Sequence, residues 1–245
     1  MEKKEIIKKS IFLVCVAIMI LFAVLIVLRY EVEGEKKLPY KLSKILLVST
    51  VDGKPNEDSE NLWNIDITQT NDVFIYVDPE ENTKETIKDI SIENFNLSKK
   101  AQKGDVQILR PTSDLNDLYS NSVQDYFNNK IVYQGAKVDD MKSLEISNNG
   151  GVVGFRESLI NLGKFVSNDE NTEIVYDGRL LSNLGISLEE IKQTLNFDIV
   201  ITTSENISYK GSLTLDMPTS EIIEQGASKT EITDFSNIIF KRIEK

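Results

Sequence analysis

Oxygen-bearing side chains are concentrated in one short stretch of this sequence. Residues 167–173 read Ser-Asn-Asp-Glu-Asn-Thr-Glu, and an Asp-Gly pair follows at 177–178. Calcium takes roughly six to eight oxygen ligands from a flexible loop, so this stretch is chemically suited to a calcium site. The candidate ligands are Asp169, Glu170, Glu173 and Asp177. Their spacing departs from the regular calcium-binding loop, and Asp and Asn are also common in hairpin connections, so both interpretations stay open.

Carboxylates are the most plentiful groups that could catalyse a reaction here. A glycoside hydrolase needs a pair of carboxyl groups facing each other across a cleft, roughly 5 to 10 Å apart. Of the 39 Asp and Glu residues, only Glu2 and Glu5 precede the long apolar segment. With so many carboxylates in the remainder, pairs at that separation arise by chance. A carboxylate-dependent hydrolase of wall glycans is therefore an alternative hypothesis, and no catalysis is expected.

Two residue types that most catalytic and metal sites need are scarce. The chain has no His, and Cys15 is its single Cys. This composition excludes an intrachain disulfide, Cys/His zinc sites, haem ligation by His, and Ser-His-Asp or Cys-His nucleophile systems. No cofactor is predicted. Cys15 lies within the apolar segment, where it is interpreted as an apolar packing residue.

The apolar segment covers residues 11–28 and contains no charged side chain. As a helix it would be about 27 Å long, close to the roughly 30 Å hydrocarbon core of a bilayer. It lacks the polar stripe of a helix buried in a soluble domain. We therefore predict a transmembrane helix over residues 11–29, anchored by Ile11, Leu13, Ile18, Leu21, Leu25 and Leu28. The alternative is a cleaved signal peptide ending near residues 32–34, but the apolar run is long for one and charged residues crowd that site.

The charges on either side of this segment predict its orientation. Four Lys precede it, whereas Arg29 and then Glu31, Glu33 and Glu35 follow it. The positive-inside bias places the N-terminus in the cytoplasm of a single-pass protein of the cell membrane. Residues 1–10 are then a cytoplasmic tail, residues 30–37 a linker, and residues 38–245 an extracytoplasmic domain.

That domain is strongly acidic. The chain carries a net charge of −11, and the residues before Tyr30 contribute five basic against two acidic side chains, which leaves −14 for the rest. Such a charge disfavours binding to nucleic acid or to anionic headgroups. It also keeps a surface domain soluble without specifying any ligand.

The domain has the residue pattern of a mainly β fold. Short apolar or alternating runs recur between turn-forming pairs, which predicts an antiparallel β-sandwich-like ectodomain with one or two short helices. The candidate strands are residues 62–68, 73–77, 90–92, 106–109, 131–133, 152–155, 173–176, 197–203, 209–215 and 238–240. The candidate turns are residues 52–53, 71–72, 78–79, 148–151, 177–178 and 210–211. A capping box at Ser187 predicts a helix that could run to Leu195.

Two further features leave alternatives open. Residues 111–129 are either a loosely helical segment or a connecting loop, and they are the best place for a boundary if the domain has two lobes. Trp63, Phe74 and Tyr76 would form a sugar-binding platform if they were exposed together. Aromatic residues on strands are usually part of a core, which is the competing interpretation.

The overall plan resembles that of uncharacterised single-pass membrane proteins of low-GC Gram-positive bacteria. The shared features are a short Lys-rich tail, one anchor and a β ectodomain rich in Lys, Asn and Ile, and residues 161–169 also look like members of one such group. The resemblance implies no catalytic residue. We hypothesise a membrane-anchored extracytoplasmic binding or scaffold domain of the cell envelope, with another envelope protein or a wall polymer as its partner. The alternatives are the wall-glycan hydrolase and a calcium-dependent adhesion module.

Overall fold

The computed structural model describes residues 11–25, 38–56, 62–110, 130–134, 146–147, 150–172 and 179–243. Within these ranges the protein is mainly β, with few helices. Helix α1 covers residues 11–25. The strands are β1 Tyr40–Pro55, β2 Trp63–Pro79, β3 Ile87–Lys99, β4 Asp105–Leu109, β5 Ile131–Gln134, β6 Ile146–Ser147, β7 Gly150–Ser167, β8 Gln193–Thr203, β9 Ser208–Met217, β10 Ala227–Ile232 and β11 Lys241–Ile243. The short helices are α2 Arg179–Asn183, α3 Leu188–Ile191 and α4 Ile222–Gln225.

The strands form two antiparallel sheets that share an apolar core. Sheet I has the order β10-β1-β2-β7-β4, with β6 also pairing with β7, and sheet II has the order β11-β9-β8-β3-β5. Alternate residues of both sheets point into the space between them, as the two-residue period of a strand requires. At the centre Phe155 of sheet I packs edge-on against Phe95 and Phe197 of sheet II, with ring centroids 5.0 and 5.1 Å apart. The predicted mainly β class is confirmed, with two antiparallel sheets and few helices.

A second apolar core lies at one end of sheet I, where the short helices cover it. It contains Ile67 of β2 and Leu159 of β7, together with Leu181 of α2, Ile191 of α3 and Ile222 of α4. Single short helices are not stable in water, so their apolar residues must pack on the sheet to hold them in place. We call the two groups the sandwich core and the helix-covered core.

Several predicted boundaries were wrong. The turn predicted at residues 71–72 lies inside β2, which also unites the two predicted strands 62–68 and 73–77. The pair at 210–211 lies inside β9, where Gly211 gives room to the Phe240 ring: a Cβ there would meet it at 3.0 Å. Residues 52–53 lie inside β1, a strand that the pattern did not predict. Residues 238–240 are not a strand, and residues 173–176 lie outside the described ranges.

The predicted capping box is confirmed, although the helix is shorter than expected. The N–H of Ser187 donates to the Glu190 carboxylate at 2.9 Å, and the Ser187 hydroxyl donates to it at 3.0 Å. Helix α3 ends at Ile191, and the chain enters β8 at Gln193. The early end follows from the pairing of β8 with β9, which uses every residue from Gln193 to Thr202.

The apolar N-terminal segment is helical in its described part, over residues 11–25. Its large apolar side chains are exposed, by 47% to 69%, including the predicted anchors Ile11, Leu13, Ile18, Leu21 and Leu25. Among the described residues no helix is both long enough and apolar enough to cross a membrane. The predicted span of residues 11–29 continues past these residues, and Leu28 and the linker 30–37 lie outside them. The segment 111–129, predicted as a lobe boundary, is also outside the described ranges.

Tyr133 closes a gap at the edge of sheet I. Among the described residues, β7 pairs with β4 at residues 156–160 and with β6 at residues 150–151, and no described strand pairs with the backbone between them on that side. From β5 of the other sheet, the Tyr133 hydroxyl donates to the carbonyl oxygen of Gly154 and accepts from its N–H at 3.1 Å. Buried backbone groups must be hydrogen-bonded, and this one hydroxyl bonds both backbone groups of Gly154.

Removing the Tyr133 hydroxyl is therefore expected to destabilise the fold. Tyr133→Phe leaves the N–H and carbonyl of Gly154 buried without that partner, which should lower the free energy of unfolding by about 1 to 3 kcal/mol. Urea denaturation of the full-length chain in mild detergent measures this. Tyr76→Phe is the matched control, because the Tyr76 ring lies on the outer face of sheet I beneath the Lys44 ammonium, and it should change stability by less than about 0.5 kcal/mol. Equal effects of the two substitutions would contradict the assigned role.

Candidate functional site: a buried polar layer and an adjoining groove

A layer of polar side chains separates the two cores. It consists of Ser49, Gln69, Asn71, Glu157 and Gln193, each of which has no exposed surface. We call it the buried polar layer. Three of its members lie in register across sheet I, since Ser49 is opposite Asn71 and Asn71 is opposite Glu157, whereas Gln193 comes from β8 of sheet II. Burial of five polar side chains is costly unless they are hydrogen-bonded to one another.

Strand alternation places these side chains on the inner face of the sheet. On β7, Glu157 lies between Phe155 of the sandwich core and Leu159 of the helix-covered core. On β1, Ser49 lies in the same way between Leu47 and Val51. The buried polar layer thus crosses the interior and has an apolar core on each side.

Asn71 is the centre of the hydrogen bonds within the layer. Its side-chain oxygen accepts from the Ser49 hydroxyl at 2.6 Å and from the Gln69 amide at 2.9 Å. Its amide nitrogen donates to Oε1 of Gln69 at 3.2 Å and to Oε2 of Glu157 at 2.5 Å. Both ends of the Asn71 side chain are therefore used, which fixes its orientation.

Glu157 is the electrostatically unusual member of the layer. Burial raises the pKa of its carboxyl from 4.5 to about 7, against the opposing effect of the Asn71 and Gln193 amides, which favour the charged form. Within the described chain, Oε1 of Glu157 and both polar side-chain atoms of Gln193 make no hydrogen bond of normal geometry. Near neutral pH this carboxyl is thus close to the midpoint of its titration.

The ion pair of Asp72 and Arg156 lies on the face of sheet I opposite to the buried polar layer. Asp72 and Arg156 alternate with Asn71 and Glu157, so their side chains lie on the outer face of sheet I. There the Arg156 guanidinium donates to both Asp72 oxygens, at 2.6 and 2.9 Å. This two-bond pairing across β2 and β7 locks the same register that aligns the buried polar layer.

A groove of about 360 Å³ opens at the edge of the sandwich, where the chain crosses from β3 of sheet II to β4 of sheet I. Its volume is in the range of small-ligand sites. Its residues are apolar below and polar at the rim: Phe95, Leu97, Ala101 and Val106, with Asn96, Lys100, Gly104 and Asp105. We call this the β3–β4 groove. The rim carries one cation and one anion, in contrast to the acidic surface of the domain as a whole.

Helix α3 holds the loop that borders this groove. The carbonyl oxygen of Glu190 accepts from the N–H groups of Gln102 and Lys103, at 2.7 and 3.1 Å. The Lys103 ammonium also lies 3.0 Å from the Glu190 carboxylate. The pKa of Glu190 is lowered to about 2, first by its hydrogen bond from the Ser187 backbone and then by Lys103. The groove is therefore preformed rather than made by mobile side chains.

Gly104 allows the same loop to approach β7 closely. Its backbone lies in the left-handed region, with φ +80, and a Cβ at this position would lie 2.7 Å from the carbonyl oxygen of Ile160. Only glycine meets both conditions without strain.

The sequence-predicted sites lie elsewhere. Asp169 and Glu170 are on the exposed turn after β7, where Oδ1 of Asp169 accepts from the N–H of Asn171 at 2.9 Å; Glu173 and Asp177 lie outside the described ranges. No group of three or more acidic, Cys or His residues that could hold a metal occurs among the described residues. The aromatic platform does not form, because Trp63 packs against the helix-covered core at the other end of β2 from Phe74 and Tyr76.

Glu157, Gln193 and the groove were not predicted from the sequence. One signal was present: polar residues interrupting otherwise apolar strands, as Gln69 and Asn71 do in β2, are typical of a buried hydrogen-bonded network as well as of a turn.

Comparison of the chain with protein-family models, with curated proteins and with solved structures gave no match.

The titration of Glu157 predicts a characteristic pH dependence of stability. Its folded pKa is about 7 and its ordinary value is 4.5, so between these pH values the folded chain retains a proton that the unfolded chain has lost. The contribution of Glu157 to the free energy of unfolding is therefore fully present below pH 4.5 and is lost as the pH rises through 7. The shift corresponds to about 3 kcal/mol.

Glu157→Gln should remove this dependence. We expect the difference in unfolding free energy between wild type and E157Q to change by about 3 kcal/mol from pH 4.5 to 8, measured by urea denaturation at each pH. Glu205→Gln, in the exposed turn between β8 and β9, should follow the wild-type curve. Parallel curves for wild type and E157Q would show that Glu157 keeps an ordinary pKa.

Proposed function

We propose that this protein is a membrane-anchored extracytoplasmic binding or scaffold domain of the bacterial cell envelope and that it binds its partner without catalysis. The observation that carries the proposal is the preformed β3–β4 groove on a domain that has its own closed core. The apolar and exposed side chains of α1 support the anchor, since a helix covered by such side chains has lower free energy in lipid than in water.

The chemistry of the groove favours a peptide segment of another envelope protein over a glycan. Sugar rings are bound by exposed aromatic faces, whereas the Phe95 ring is only 6% exposed and packs against two other Phe rings. Leu97, Ala101 and Val106 instead offer aliphatic contacts. A segment with an apolar side chain and a neighbouring carboxylate would fill the groove and pair with Lys100.

The environment of Glu157 supports a non-catalytic function. A wall-glycan hydrolase would use a carboxyl group of raised pKa, but that group must reach the substrate and face a second carboxylate. Glu157 has no exposed surface and receives its hydrogen bond from an amide. Its perturbed pKa follows from burial in a structural layer, which is the other common origin of such shifts.

The anchor is tested by placing charges in α1. Ile18→Lys with Leu21→Lys should move the full-length protein from the membrane fraction to the soluble fraction, because each Lys near the centre of a spanning helix costs about 2.5 to 3.5 kcal/mol. Cell fractionation after an alkaline wash measures the distribution. Ile18→Leu with Leu21→Ile is the control and should stay in the membrane fraction. Wild-type protein that is recovered entirely in the soluble fraction, with its first 30 residues attached by mass spectrometry, would contradict the anchor.

Binding is tested by altering the groove. Full-length protein in lipid nanodiscs is immobilised and exposed to solubilised envelope proteins, and separately to wall polymer, from the organism that makes it. Ala101→Trp, which fills the groove, and Lys100→Glu, which reverses a rim charge, should each reduce capture of one discrete protein about tenfold, a loss of about 1.4 kcal/mol. Lys130→Glu, at an exposed position outside the groove, should not. Capture that is unchanged in both groove variants would contradict the assignment, and capture of wall polymer alone would favour the glycan.

A further inference from the structure

Gln193 connects the buried polar layer to the groove. It is the first residue of β8 and follows α3 after the single residue Lys192. Its side chain lies fully buried in the layer, where it acts on the Glu157 carboxyl. On its other side, α3 holds the loop of the β3–β4 groove through the carbonyl oxygen of Glu190. The same short piece of chain therefore contacts both sites.

The two protonation states of Glu157 require different orientations of the Gln193 amide. A neutral carboxyl can donate its proton from Oε1 to the side-chain oxygen of Gln193, and this bond would satisfy two atoms that have no hydrogen bond now. A carboxylate can only accept, so Gln193 must then turn its amide nitrogen towards Oε1. In a buried site either mismatch leaves a polar atom unsatisfied, so each protonation state of Glu157 favours its own orientation of the Gln193 side chain.

We propose that protonation of Glu157 sets the position of the loop bordering the β3–β4 groove, acting through Gln193 and α3, so that binding in the groove depends on pH near neutrality. This inference rests on the proposed function, because it assigns a regulation to the same groove. Thermodynamic reciprocity then requires that a bound partner shift the pH at which Glu157 titrates.

The groups that face Glu157 leave it as the titrating member of the layer. Asn71 faces it from β2, Ile108 from β4 and Gln193 from β8, and none of these side chains is charged. Ser49 and Gln69, which bond to Asn71, are uncharged as well. The ion pair of Asp72 and Arg156 is on the opposite face of sheet I. Around α3 the charged contacts are Lys103 with Glu190 at 3.0 Å and Lys99 with Glu189 at 3.5 Å.

The composition of the chain makes the effect unusually easy to isolate. There is no His anywhere in the sequence, so no side chain with an ordinary pKa changes charge between about pH 6 and 8. A pH-dependent change of the groove loop in that range must therefore originate from a group with a strongly shifted pKa or from the N-terminal amine, and a variant of Glu157 distinguishes these.

The experiment follows the groove loop directly and needs no partner. NMR spectra of the full-length chain in detergent micelles, labelled at Gln, Lys and Glu, are recorded from pH 5 to pH 9. The amide signals of Gln102 and Lys103, whose N–H groups bind the Glu190 carbonyl, should titrate with the same midpoint as the Glu157 carboxyl carbon. Glu157→Gln should abolish that titration of both amides.

Gln193→Met separates coupling from simple burial. It keeps the length of the side chain but removes both polar atoms, so Glu157 should still titrate while the amides of Gln102 and Lys103 become insensitive to pH. Amides that do not move while Glu157 titrates in the wild type would overturn the proposal, as would an unchanged amide titration in E157Q or Q193M. Because these spectra need no ligand, their failure would leave groove binding intact, whereas loss of partner capture would leave the coupling intact.

Discussion

The full burial of one carboxyl group constrains the rest of this structure. Glu157 can stay in the interior only among polar partners from other strands. The Asn71 amide of β2 donates to it, the Gln193 amide of β8 acts on it, and the Ser49 hydroxyl of β1 holds Asn71 in turn. A slip of one residue in the pairing of β7 would turn Glu157 to the surface and bring Arg156 into the apolar interior. The polar layer thus contributes less to net stability than an apolar layer of the same volume would, but it penalises every alternative register of the long central strands.

The length of the central strands explains why a buried polar layer is useful. Strands β1, β2 and β7 have 16, 17 and 18 residues, well beyond the usual strand of roughly five or six. One continuous apolar face on strands of that length would accept several registers and would aggregate readily before folding is complete. Two apolar cores divided by a polar layer allow only one register. Sheet II covers the sandwich core, and the short helices cover the helix-covered core.

The sequence predicted the fold class because alternation is a local property, and it failed where a tertiary contact overrides local preference. Asn71 and Asp72 have the composition of a turn, yet each finds a partner across the sheet, Asn71 in the layer and Asp72 with Arg156, so the strand continues through them. The importance of Glu157 was not predictable, since its raised pKa depends on which strands lie on either side of it. The predicted helix wrongly included Gln193, because the pairing of β8 with β9, a contact between distant segments, determines where α3 ends. The groove was equally hidden, because Phe95 and Val106 become neighbours only when the chain crosses between sheets.

The position of the groove follows from the same architecture. Strand β4 has only five residues, so the edge of sheet I stops short of the end of β3 and the two sheets are not closed against each other there. A loop must cover this opening, and Gly104 and the carbonyl oxygen of Glu190 determine where it lies. The groove offers aliphatic contacts from Leu97, Ala101 and Val106 and a pair of opposite charges, Lys100 and Asp105, at its rim. Among the described residues, Glu157 is the carboxyl group whose pKa burial raises to about 7, and it has no exposed surface, which is why we propose that it acts on the groove through Gln193 and α3.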